Sequence, residues 1–132
     1  MIDHINFPLI SVLIFHAIVF LQSGLDKLFN WKANLDFTNQ TLGKTFSKQM
    51  VKFGLLTVLF LETLGGIFSI LGIVFNLMYE NCLLYAQIGL ISCVAALLLL
   101  LFGQRISQNY EGAKTIAIYF IVSVIGLMMI FN

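Results

Sequence analysis

The sequence predicts an all-α integral membrane protein: a four-helix bundle with an amphipathic interfacial helix between helices 1 and 2. Two observations carry that prediction. First, 60% of the 132 residues are hydrophobic and only 10% are charged, whereas a soluble domain carries about 25% charged and 45–50% apolar residues. The mean hydropathy is +0.99. Second, charged residues punctuate the chain at intervals close to the roughly 20 residues of a membrane crossing. The same numbers exclude other classes. A net charge of +1 offers no basic field for nucleic acid, and two cysteines do not make a disulfide scaffold.

The elements follow in order, as one domain over residues 1–132. No Asp, Glu, Lys or Arg occurs between Asp3 and Asp26, which places span 1 at about 7–28. This apolar run is too long for a cleaved leader and has neither a basic start nor a small-residue cleavage site. Residues 30–52 exceed an ordinary helix–helix link. Within them Leu35, Leu42, Phe46, Met50 and Phe53 recur at helical steps. Lys44, Lys48 and Lys52 fall roughly 150° away from that face. The pattern predicts an amphipathic helix over about 35–52, lying in the headgroup layer with its lysines toward anionic lipid. Trp31 suits the same depth. The simpler alternative is a helical extension of the second span.

Span 2, about 53–75, contains the single charge Glu62. Span 3, about 82–102, lies between Glu80 and Arg105. Its run from Ala95 to Leu101 has no polar face, which suits lipid or a partner subunit. Span 4, about 113–131, has no charge beyond Lys114. Unpaired backbone amides are too costly in hydrocarbon, and no strand alternation is present, so the spans must be helical. Short links at 76–81 and 103–112 make neighbours antiparallel.

Four spans place both termini on one side. Every Lys and Arg (Lys27, Lys32, Lys44, Lys48, Lys52, Arg105 and Lys114) falls at or between spans 1 and 2 or spans 3 and 4. The positive-inside rule then puts those two connections in the cytoplasm.

Ionisable groups at membrane depth are costly and usually face the bundle interior. Glu62 lies about ten residues, roughly 15 Å, into its span, where burying its charge is unfavourable unless a cation or donors reach it. On span 1, His16, Ser23 and Lys27 share one stripe, within about 20° of His16 on a helical wheel. Gln87, from the opposite end of span 3, reaches nearly the depth of His16. We therefore expect His16, Ser23, Lys27, Glu62 and Gln87 to form one internal polar cluster or ligand pocket. The plainer alternative is that they only fasten helices together. Gly65, Gly66, Ser69 and Gly72 collect on the Glu62 side of span 2, and Ser123 and Gly126 on span 4, allowing close helix approach. Cys82 and Cys93 are about 16 Å apart along one helix and cannot bridge. His4 and His16 are too distant to share a metal, and no intrinsic cofactor motif is present.

These residues resemble the DoxX family of small four-span bacterial membrane proteins. The resemblance rests on Ser23-Gly24-Leu25-Asp26-Lys27-Leu28-Phe29, on Glu62-Thr63-Leu64-Gly65-Gly66 followed by Leu71-Gly72, and on Tyr110-Glu111-Gly112-Ala113-Lys114. It implies an inner-membrane location and an association with thiosulfate- or quinol-linked oxidoreductase complexes. It also makes Gly24, Lys27, Glu62, Gly65 and Gly66 the positions of interest. Many relatives carry basic tails, which implies termini in the cytoplasm, opposite to the charge count. Two functional readings follow. In one, the cluster receives a quinone headgroup or small sulfur compound, with electrons supplied by a partner subunit. In the other, the chain is a non-enzymatic accessory or scaffold subunit contacting other membrane subunits or copies of itself. An accessory role is favoured over catalysis by the isolated chain.

Overall fold

The computed structural model describes residues 5–78 and 83–131. Five helices are present among them: α1 (Phe7–Phe29), α2 (Trp31–Leu42), α3 (Lys48–Leu77), α4 (Leu84–Ile106) and α5 (Tyr110–Ile130). All but α2 are long and apolar enough to cross a membrane. The start of span 3, including Cys82, lies outside the described residues, as does His4.

Local chemistry sets the ends. The Asn6 side chain accepts from Leu9 N at the start of α1, with Pro8 in the first turn, where its missing N–H costs nothing. Ser47 Oγ accepts from Met50 N and starts α3. Asn109 Oδ1 accepts from Gly112 N at 3.1 Å and starts α5. Just before it, Gln108 adopts φ 62°, a left-handed conformation that turns α4 into α5.

The four long helices form a ring in which α3 packs between α1 and α4, α5 packs on α4, and α1 with α5 closes the circuit. One face of α3 accounts for this. Val51, Leu55, Val58, Glu62, Gly65, Ser69 and Gly72 are all buried and recur at alternating steps of four and three, the period of a helix–helix seam. Toward the end of α3 the seam is made of small residues, and backbones meet. A Cβ on Gly72 would come within 3.1 Å of the Ala86 Cα, and one on Gly89 within 2.9 Å of Ser69 N. Two apolar clusters fill the interior: Leu9, Leu13, Ala86, Leu90 and Ile130, then Phe20, Cys93, Ala96, Leu97 and Ile116. Large apolar side chains such as Phe60, Phe102, Ile121 and Met128 face outward, which suits lipid rather than water.

The continuous amphipathic helix expected over 35–52 does not form. Helix α2 stops at Leu42 with Gly43 as its C-cap, and residues 43–47 turn on Thr45 N–H and Phe46 N–H bonds to Leu42 O, both 3.0 Å. The Ser47 cap then restarts the helix. The turn at Leu42 O and the Ser47 cap prevail over hydrophobic period here. The expected apolar face is thereby divided among α2, the turn and α3, and Phe53 is left 73% exposed. Lys48 and Lys52 belong to the first turns of α3, five residues upstream of the expected start of span 2.

Candidate functional site

The site is built where the last turns of α1 meet the middle of α3. Ser23 and Lys27 are one turn apart, so both side chains leave α1 on the same face. Gly24 lies between them, against α3: a Cβ there would stand 2.8 Å from Thr63 Oγ1. On α3, Gly66 gives similar proximity, since its Cβ would meet Leu21 Cγ at 2.6 Å. Two glycines thus bring the helices close enough for Lys27 to reach the seam.

Lys27 Nζ lies 2.8 Å from Glu62 Oε1, with side chains 12% and 3% exposed. The ammonium also donates to Ser23 Oγ at 2.8 Å. The 2.8 Å approach to Oε1 lies in the range of a charge-assisted contact, so the ammonium answers that oxygen. A buried carboxylate is therefore neutralised in charge, and its second oxygen keeps acceptor capacity. Such a group can take a hydrogen bond or a proton from a small ligand. Gly65, one turn further, lies against Cys93, whose thiol is buried.

His16 is not part of this group. It is fully buried, but Nε2 lies 2.6 Å from Ser123 Oγ on α5 and Nδ1 lies 2.7 Å from Val12 O. Phe20 stacks on its ring at 5.6 Å and Phe15 meets it edge-on at 5.5 Å. A helical wheel explains the discrepancy, because it discards depth. His16 and Lys27 share a stripe yet stand about 16 Å apart along the axis, with Phe20 between. Gln87 is half-buried on α4 and makes no side-chain hydrogen bond to Lys27 or Glu62. The five expected residues thus resolve into a Ser23–Lys27–Glu62 group, a His16–Ser123 pair and a separate Gln87.

Ser123 was signalled only as a small packing residue; that it answers a histidine 107 positions away leaves no trace in local spacing. Gly89 carries no sequence signal of its packing role, because a single glycine in an apolar run looks neutral. The packing glycines Gly24, Gly65, Gly66 and Gly72 all stand at helix contacts. Comparison of the chain with protein-family models, with curated proteins and with solved structures yields no match.

Proposed function

We propose that the chain is a DoxX-like multi-pass subunit of a bacterial inner-membrane complex with a quinone- or sulfur-linked redox function, and that it acts as an accessory to its partners. The observation that supports this reading is the buried Lys27–Glu62 pair in the apolar slab, since intramembrane ionisable groups are rarely retained without a role. The residues fit a quinone-type headgroup. Lys27 Nζ is a donor for a carbonyl oxygen, and the Glu62 carboxylate beside it is an acceptor for a hydroxyl. Bound there, a quinone would supply the electron transfer, while Glu62 holds or releases a proton at Oε1 and Lys27 balances its charge. Both termini lie on the same side of the membrane in this reading.

The test is Glu62→Gln in the native complex. Loss of co-purifying quinone and a drop of about 100-fold or more in quinone-linked turnover are expected, the size of one general acid–base contribution at its low end. Unchanged retention and turnover reject the redox reading. A scaffold role is favoured by one feature of α5, where Ile118, Ile121, Ile125 and Met128 expose a single apolar face. If Ile121→Lys releases partner chains while Glu62→Gln leaves turnover intact, the scaffold role stands alone.

A further inference from the structure

A second feature lies away from the Lys27–Glu62 pair. Between α2, the start of α3 and the end of α4 there is an open cavity of about 330 Å³, within the size range of small-molecule pockets. Phe37 and Leu42 of α2, Phe46 of the turn, Leu55 and Val58 of α3, and Phe102 of α4 line it. It is mostly apolar, and Phe46 and Phe102 on its wall have ring centroids 6.3 Å apart.

Two glycines on its walls are unlike those of the bundle seam. A Cβ on Gly54 would meet nothing within 4 Å, and one on Gly103 only Leu42 Cδ1 at 3.6 Å. Glycine is disfavoured in a helix interior, and elsewhere in this bundle it serves close backbone approach. Here it serves no protein contact. It keeps space open.

The position of that space indicates its occupant. From Met50 to Val58 the cavity runs about 12 Å along α3, close to the roughly 15 Å depth of one leaflet. The cavity lies at the basic end of the bundle, where Phe46, Met50, Gln104 and Ser107 line it. Lys114 is paired with Glu111 at 3.2 Å, and Arg105 stacks on Tyr110 at 4.6 Å. Lys44 and Lys48, each two residues before a lining side chain, are exposed and form no ion pair among the described residues. Apolar walls of leaflet depth below unpaired cations match an anionic phospholipid, with its acyl chain inside and its phosphate toward the lysines. We propose that this cavity is a binding site for an anionic phospholipid.

Phosphatidylglycerol and phosphatidylcholine serve as probes. The full chain is purified, stripped of lipid, exposed to each lipid separately, and assayed by native mass spectrometry and thermal unfolding. One phosphatidylglycerol should be retained per chain, with a preference over phosphatidylcholine of about ten-fold or more from two lysines. Gly54→Leu, at a position where a Cβ meets nothing within 4 Å, puts a side chain into the cavity and should abolish both retention and the lipid-dependent rise in Tm. Gly103→Leu is the second filler, should the first not fold. Lys44→Gln with Lys48→Gln should erase the preference while leaving a lipid bound. Equal retention of the two lipids by the unaltered chain overturns the proposal. So does full retention by a folded filler variant, or a second copy of the chain occupying the cavity.

Discussion

Lys27 Nζ and Glu62 Oε1, 2.8 Å apart, join the last turn of α1 to the middle of α3 where the surroundings are hydrocarbon and packed side chains. Neither charge is stable there alone, because desolvation removes far more than a distant counter-charge returns. Together they are compensated, and Ser23 takes one of the remaining ammonium protons at 2.8 Å. The pair therefore works as a unit, whether or not a ligand joins it.

Breaking the unit from either side should be costly. Glu62→Leu and Lys27→Met each strand a buried charge and should lower stability by about 3–5 kcal/mol. Lys27→Met with Glu62→Leu removes both charges and should recover more than half of that loss. Reversible unfolding in mixed detergent gives the double-mutant cycle. Strictly additive losses would show that the two residues do not act on each other.

The His16–Ser123 contact carries a different expectation. Val12 O has no proton to give, so in the neutral ring the proton resides on Nδ1 and Ser123 donates to Nε2. Nitrogen NMR of labelled protein should show that tautomer. The Ser123 hydroxyl lies 2.6 Å from Nε2 and 2.9 Å from Tyr119 O, and its one proton serves one of them at a time. Ser123→Ala should then cost only about 0.6 kcal/mol, the average for interhelical hydrogen bonds in membranes. His16→Ala, which empties a fully buried site beside Phe20, should cost about 3 kcal/mol.

Much of the architecture is legible in the chain because hydrocarbon imposes one strong rule: apolar length makes a span. Glu62 and Lys27 stand out for the same reason, as charges where charges are costly. What periodicity obscures is depth and interruption. His16 shares a stripe with Lys27 but not a level, and it turns to α5. Leu42, Phe46 and Met50 keep helical spacing through a segment that Gly43 and Ser47 divide. The cavity is the least legible feature, since it arises from glycines that touch nothing, and no pattern of side chains announces an empty volume.

The glycines should separate by what faces them. A Cβ on Gly89 would stand 2.9 Å from Ser69 N and 3.1 Å from Phe68 C, which are backbone atoms of α3 and cannot rotate aside. Gly89→Ala must push α4 from α3 and should cost about 1–3 kcal/mol. Gly54→Ala meets open space and should gain about 0.5–1 kcal/mol from the lower entropy of the unfolded chain. Thermal unfolding of the two variants side by side checks the opposite signs.

Orientation is testable through the same basic end. Lys44 in the turn, Lys48 and Lys52 at the start of α3, Arg105 at the end of α4 and Lys114 at the start of α5 mark one end of the bundle, while Asn6 N donates to Asn76 Oδ1 at 3.2 Å at the other. The positive-inside rule draws the lysine end to the cytoplasm, since translocating basic loops is disfavoured. A membrane-impermeant maleimide should then label Met78→Cys on intact cells and Lys48→Cys only after permeabilisation, in a Cys82→Ala background. Cys93 needs no replacement, because its thiol is fully buried and such thiols are inert. Labelling with the opposite sidedness would reverse this orientation, and the lysines beside the cavity would then face the outer leaflet.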